Sequence, residues 1–236
     1  MRRAPGFSWE ATESPHVAVD YLLLLAMLLI AADLGYLESQ FRWLGPNWGY
    51  HLLAVSILYF LAAYRFDSRA VLTLALTSFA AWRGVEAAFP FAGGGAQASA
   101  AGLVRANAIG CGLLYLAAGY FSVKLRKKPH FEPVYVTGGL VLLFGAMLTG
   151  VWDERTGAWV MWMLAVVAAA GMVLVLSYRH RRALDFGIAV AALYLVGLRI
   201  LGETGFGQST FFLTTGWSIA ALVILIRATR RMRRPA

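Results

Sequence analysis

The hydrophobic positions of this chain fall into eight long runs that are separated by short polar segments. The runs cover about residues 17–37, 48–64, 70–88, 102–123, 134–151, 158–178, 183–201 and 211–227. An α-helix rises about 1.5 Å per residue, so about 20 apolar residues cross the roughly 30 Å of hydrocarbon in a bilayer. The pattern therefore predicts an all-α integral membrane helical bundle of about eight transmembrane helices.

Little of the chain is left outside these runs. We expect residues 1–16 to form a cytoplasmic amino-terminal segment, residues 17–227 one polytopic transmembrane domain, and residues 228–236 a basic cytoplasmic tail. The polar start contains Glu10 and Glu13 and is followed by an apolar run of transmembrane length. Both features favour an uncleaved first span over a signal peptide.

The composition agrees with a membrane protein, because 60% of the residues are hydrophobic and only 14% are charged. Soluble domains carry about 25% charged residues. The net charge of +9 would be typical of a nucleic-acid-binding protein if the basic residues formed one patch. They lie instead in short connections between apolar runs, so we expect the lipid bilayer as a partner and no nucleic acid.

Lysine and arginine are distributed unevenly between alternate connections. The amino terminus, the second, fourth and sixth connections and the tail hold 16 of them, whereas the other side holds 5. The positive-inside rule then places both termini in the cytoplasm. The asymmetry also favours eight spans, because a wrong count would break the alternation.

Several ionisable residues lie within the runs, near their predicted outer ends. In TSFAAWRGVEAAFP, Arg83 and Glu86 are three positions apart, and Arg199 and Glu203 are four apart, so each pair shares a helix face. Charged groups inside membrane spans are costly and commonly mark functional sites. The candidate outer polar cluster comprises Asp33, His51, Arg83, Glu86, Arg105, Arg199 and Glu203. The alternative is that each side chain reaches the interface independently.

Other polar and small residues have structural interpretations. Asp67 is expected to cap the amino terminus of the third helix, and Asp185 to interact with the dipole of the seventh. Glycines in the segments 110–112, 137–139 and 143–150 are expected at close helix contacts, and the small-residue spacing of Gly145 and Thr149 agrees with that.

Two parts of the chain also resemble each other. Trp48 and Tyr64 are separated by 16 residues, as are Trp162 and Tyr178. Each pair is followed by a basic connection and by a span that ends in arginine plus glutamate. An offset of four helices in the same orientation would be a parallel repeat, which many transporters use to build a central site.

The motifs of common catalytic sites are absent from the sequence. There is one cysteine, Cys111, and the four histidines lie on four different segments. No HExxH, Walker-type loop or Gly-x-Ser-x-Gly motif occurs. The sequence therefore predicts no metal site and no cofactor, and it favours a non-enzymatic role without excluding an enzyme.

Two stretches, YRFDSRAVLTLALTSFAAWRGVE (64–86) and KKPHFEPVYVTGGLVLLFGAMLTG (127–150), resemble the bacterial multi-span proteins grouped as DUF2157-like. The resemblance implies a bacterial inner-membrane helical bundle, and it implies no catalytic residue. The sequence leaves three functions open. They are a non-enzymatic subunit or sensor of an envelope complex with membrane-protein partners or a second copy, a small-molecule or ion transporter, and a lipid-modifying enzyme.

Overall fold

The computed structural model describes residues 17–88, 97–153, 157–203 and 208–233. These residues form eight α-helices, with no β-strand among them. The helices are α1 (Val17–Phe41), α2 (Tyr50–Phe66), α3 (Arg69–Ala88), α4 (Gln97–Lys124), α5 (Glu132–Val151), α6 (Trp159–Arg179), α7 (Ala183–Glu203) and α8 (Gln208–Arg233). Short 3-10 helices, η1 (Gly45–Asn47) and η2 (Pro129–Phe131), precede α2 and α5.

The prediction of an all-helical fold is confirmed, and each apolar run corresponds to one helix. Five helical segments in the described ranges are long and apolar enough to cross a membrane: Asp20–Phe41, Ala101–Lys124, Pro129–Val151, Trp159–Arg179 and Ala183–Glu203. The last helix continues to Arg233, so most of the predicted basic tail is helical. The predicted segment 1–16 lies outside the described residues.

Large apolar side chains cover much of the outer surface of these helices. Leu61, Met161 and Leu184, for example, are all exposed. A soluble helix normally turns its apolar stripe inward and its charges outward. An outward apolar surface on long helices is instead typical of helices that face lipid.

Contacts divide the chain into two compact units, residues 1–139 and 140–236. In the first unit, α2 and α3 form a hairpin, α4 packs on α3, and α1 lies against α2 and α3. In the second unit, α6 and α7 form a hairpin and α8 packs on α7. Successive helices are therefore neighbours within each unit.

The two hairpins turn in the same way. Asp67 and Arg181 both adopt left-handed backbone conformations, with φ of 60° and 55°. The Ser68 N–H then donates to the Ala63 carbonyl oxygen at 3.2 Å, and the Arg182 N–H donates to the Ser177 carbonyl oxygen at 2.9 Å. This pattern is a Schellman-type helix end.

Equivalent turn residues lie 114 positions apart, as Ser68 and Arg182 do. Trp48 and Trp162 share that offset, and so do the buried positions Ala75 and Ala189. These matches support the predicted repeat. Arg83 and Arg199 of the candidate cluster do not follow it, because the residue 114 positions after Arg83 is Gly197.

Hydroxyl groups join the helices inside the first unit. The Tyr59 hydroxyl donates to the Met27 carbonyl oxygen at 3.0 Å, and the Tyr115 hydroxyl donates to the Leu76 carbonyl oxygen at 2.6 Å. The Ser56 hydroxyl donates to the Ala75 carbonyl oxygen at 3.2 Å. Such bonds to the backbone of a neighbouring helix fix how α1, α2, α3 and α4 pack in an apolar environment.

The prediction of close glycine contacts is confirmed at some positions and wrong at others. A Cβ atom at Gly139 would lie 2.8 Å from the Gly112 carbonyl oxygen, so α5 and α4 touch there. In the second unit, a Cβ at Gly150 would lie 2.5 Å from the Trp162 ring. Gly145 has open space around its Cα, because it lies on the exposed side of α5.

Candidate functional site

An open pocket whose wall is partly polar and partly apolar lies where α1 ends and α2 begins, in the first unit. It has a volume of about 690 Å³, within the range of small-molecule sites. Both signs of charge are represented in its wall. The lining residues are Gly35, Glu38, Ser39, Arg42, Gly45, Trp48 and His51.

Local backbone geometry places these side chains around one space. Residues at spacings of three and four share a helix face, so the last turns of α1 present Glu38, Ser39 and Arg42 together. Arg42 ends α1 in a left-handed conformation with φ of 48° and turns the chain into η1. The Glu38 carboxylate accepts the Leu44 N–H at 3.2 Å, which fixes that turn.

His51 closes the pocket from the first turn of α2. Its Nδ1 hydrogen-bonds the Trp48 carbonyl oxygen, and its ring stacks on the Trp48 ring with centroids 5.5 Å apart. A carbonyl oxygen only accepts, so Nδ1 carries the hydrogen. In the neutral imidazole, Nε2 is therefore a hydrogen-bond acceptor.

Arg83 pairs across to α4 rather than along its own helix. Its guanidinium donates to Asn107 Oδ1 at 2.6 Å and lies 5.6 Å from the Trp82 ring centroid. Glu86 lies instead against the start of α2, where a Cβ at Gly49 would be 3.1 Å from Glu86 Oε1. The arginine therefore holds the carboxyl-terminal end of α3 to α4.

Two further members of the candidate cluster occupy different settings in the first unit. Arg105 is buried on α4. Asp33 is exposed on α1 and has no hydrogen-bond or ion-pair partner among the described residues. Asp33 therefore does not line the pocket that His51 lines.

The remaining two members lie in the second unit. Arg199 and Glu203 form the predicted pair on α7, with a nitrogen-to-oxygen distance of 2.7 Å. The Arg199 side chain is only 12% exposed, and its guanidinium lies 5.7 Å from the ring centroids of both Trp152 and Trp159. Such contacts stabilise a guanidinium through the negative ring faces. Arg199 thus joins α7 to the ends of α5 and α6.

The opposite end of the first unit carries a charged cluster that the sequence analysis missed. Lys128 Nζ lies 2.9 Å from Asp67 Oδ1, and His130 Nε2 lies 2.5 Å from the same oxygen. The Lys128 and Asp67 side chains are only 2% and 5% exposed. These residues are 61 positions apart, so no local spacing connects them.

The prediction that Asp67 caps α3 is wrong. Asp67 is the left-handed residue that ends α2, and its carboxylate reaches the α4–α5 connection. Ser68 takes the capping position, where its hydroxyl accepts the Val71 N–H at 3.4 Å. Asp185 does lie in the first turn of α7, as predicted, and its carboxylate is 3.8 Å from Arg182.

Within the described part of the chain, no three histidine, cysteine, aspartate or glutamate side chains converge on a point that could hold a metal ion.

Comparisons with protein-family models, with curated proteins and with solved structures find no match to this chain. The resemblance to DUF2157-like proteins therefore stays a prediction.

The Arg83–Asn107 contact gives a stability prediction. Asn107→Ala is expected to lower the free energy of unfolding by about 1.5–3 kcal/mol, because a half-buried guanidinium loses its acceptor on α4. Thr77→Ala is the control, since the Thr77 hydroxyl only bonds its own helix and is exposed. Chemical unfolding in detergent micelles measures both variants, and equal effects would show that the contact carries no stability.

Proposed function

We propose that this chain is a multi-pass protein of the bacterial cytoplasmic membrane with eight spans and both termini inside. It acts without catalysis, as a sensor or subunit of an envelope complex, and binds a small polar solute at the outer end of α1 and α2. Support for the membrane comes from the five long apolar helices and the outward apolar side chains. Support for the orientation comes from the uneven distribution of lysine and arginine.

The observation that carries the solute-binding role is the pocket between α1 and α2. It contains an acidic, a basic and an imidazole side chain beside an indole ring, namely Glu38, Arg42, His51 and Trp48. A solute carrying both a carboxylate and an ammonium group complements this set, since arginine binds carboxylates and aromatic faces bind cations.

Glu38 and His51 are held by hydrogen bonds to the backbone, an arrangement that favours ligand binding over proton transfer. The Glu38 carboxylate fixes the Leu44 N–H, and His51 Nδ1 is committed to the Trp48 carbonyl oxygen. Groups anchored in this way hold a shape and orient a ligand. A solute that fills the pocket would contact both α1 and α2. Solute binding would then change how these two helices pack, and a partner protein that contacts them would respond to that change.

A thermal-shift titration of the purified full chain tests solute binding. Amino acids and betaines are the probes, and a probe at 100 times its Kd is expected to stabilise the protein by about 2.7 kcal/mol. Arg42→Ala should abolish the shift. Arg126→Ala is a matched control, because Arg126 is another exposed arginine with a left-handed backbone, φ of 53°, in the α4–α5 connection.

The proposed binding is wrong if no probe stabilises the wild type more than the Arg42→Ala variant. A shift that disappears in both arginine variants would indicate a general effect of charge and would also contradict the pocket.

A second candidate function is solute transport, which the repeated hairpin favours. Parallel repeats are a common architecture of secondary transporters. If the chain transports the solute it binds, proteoliposomes containing it accumulate the radiolabelled probe faster than empty liposomes, and Arg42→Ala removes the difference. Binding without accumulation supports the sensor or subunit role instead.

A further inference from the structure

Two side chains that line the pocket between α1 and α2 donate their own hydrogens to the backbone. The Ser39 hydroxyl donates to the Tyr36 carbonyl oxygen at 2.8 Å. His51 Nδ1 donates to the Trp48 carbonyl oxygen. What each can offer a solute is therefore a lone pair, on Ser39 Oγ and, in the neutral imidazole, on His51 Nε2. Neither side chain has a further partner among the described residues.

Glu38 adds a third acceptor to the same wall. Its carboxylate can accept about four hydrogen bonds, and the Leu44 N–H uses one of these positions. Arg42 lies four residues further on, yet Glu38 and Arg42 form no ion pair with each other in the described part of the chain. Both charges therefore stay available to a bound solute.

Three acceptor groups and one guanidinium complement the two ends of an amino acid. A primary ammonium has three N–H donors, one for each of the acceptors on Glu38, Ser39 and His51, and every N-methyl group removes one donor. The carboxylate end complements the Arg42 guanidinium, whose donors lie in a planar fork. The wall thus matches an ammonium group that keeps its hydrogens.

The same wall is poorly suited to a quaternary ammonium group. Such groups are recognised by cages of aromatic rings, whereas Trp48 and His51 supply the rings that line this pocket. The His51 ring lies against one face of the Trp48 indole, with centroids 5.5 Å apart, so that face is already covered. Methyl groups placed against the three acceptors would displace water and leave the acceptors without hydrogen bonds, which is unfavourable.

We propose that the pocket between α1 and α2 selects solutes that carry a primary ammonium group and a carboxylate, namely free amino acids, and that His51 and Ser39 set this selection. The inference rests on the proposed solute binding and names the class of solute. Betaines carry the same two charges without an N–H, and the pocket rejects them.

The test measures dissociation constants by thermal-shift titration of the purified full chain. The probes are glycine and phenylalanine, each as the parent amino acid and with one, two or three N-methyl groups. The charges stay constant along each series, while the number of N–H donors falls from three to none. For the parent that binds more tightly, we expect trimethylation to weaken binding by about tenfold or more, the effect of leaving one acceptor unpaired.

Two variants assign the selection to residues. His51→Phe keeps a ring beside Trp48 but removes the Nε2 acceptor, and Ser39→Ala removes a hydroxyl group from an exposed side chain. Each should lower the ratio of the trimethylated to the parent dissociation constant by about threefold or more. His180→Phe is the matched control and should leave the ratio unchanged, because His180 is exposed at the end of α6 in the second unit.

Trimethylated probes that bind as tightly as their parents would overturn the proposal, and so would a ratio that neither His51→Phe nor Ser39→Ala changes. Both results would leave the proposed solute binding intact, because the wild type would still be stabilised and Arg42→Ala would still abolish the shift. If no parent and no methylated form stabilises the wild type, the proposed solute binding itself fails, and the selection fails with it.

Discussion

Replacing Lys128 by methionine is expected to lower the free energy of unfolding by up to about 3–5 kcal/mol, because it removes the lysine cation from a buried carboxylate that then keeps its contact with His130. Lys128 Nζ and Asp67 Oδ1 are 2.9 Å apart, and both side chains are almost fully enclosed. The pair joins the α2–α3 turn to the α4–α5 connection. Chemical unfolding in detergent, followed by circular dichroism, measures the loss.

Lys127→Met is the matched control, since Lys127 is the neighbouring lysine and is exposed. Exposed substitutions usually change stability by less than about 0.5 kcal/mol. Asp67→Asn completes a double-mutant cycle, and asparagine tolerates the left-handed backbone at that position. The double variant should lose less than the sum of the single losses. Equal losses in Lys128→Met and Lys127→Met would contradict a stabilising buried pair.

Gly139→Ala is expected to destabilise the first unit by about 1–3 kcal/mol, the usual effect of overpacking. The added methyl group would lie 2.8 Å from the Gly112 carbonyl oxygen and 2.9 Å from Leu116 Cγ. Backbone cannot move aside as a flexible side chain can, so α5 must shift away from α4. The same unfolding measurement applies.

Gly145→Ala on the same helix is the control, because nothing lies within 4 Å of its added methyl group. Alanine is a better helix former than glycine, so this variant should be neutral or slightly stabilised. If both alanine variants unfold alike, the close approach of α4 and α5 is wrong.

The helices could be predicted from the sequence because each is a long apolar run between short polar connections. The Arg199–Glu203 pair could be predicted too, since a spacing of four residues brings side chains together on any helix. The same spacing rule predicted that Arg83 would pair with Glu86 on α3. The Arg83 guanidinium instead donates to Asn107 of α4, a contact between helices that the spacing of residues within α3 does not predict. Local patterns determine local pairs only where no neighbouring helix competes.

The pocket and the Lys128 cluster depend on tertiary structure. Arg42 and Lys128 adopt left-handed backbone conformations. Such conformations are uncommon for residues other than glycine, so the sequence did not indicate turns at these positions. Those turns bring Glu38 toward His51 and Lys128 toward Asp67. Similarly, the sequence shows that α5 contains several glycines. It does not show which of them faces a neighbouring helix, and only the structure distinguishes Gly139, which faces α4, from Gly145, which does not.

The most direct measurement is thiol labelling in intact bacterial cells with a membrane-impermeant reagent. In a Cys111→Ala background, Ser39→Cys places a thiol in the pocket and Lys127→Cys places one in the α4–α5 connection. An outward-facing solute pocket predicts that Ser39→Cys reacts in intact cells and is protected by the stabilising solute, while Lys127→Cys reacts only after permeabilisation. Reaction of Lys127→Cys in intact cells, with Ser39→Cys unreactive, would contradict both the orientation and the outward-facing pocket.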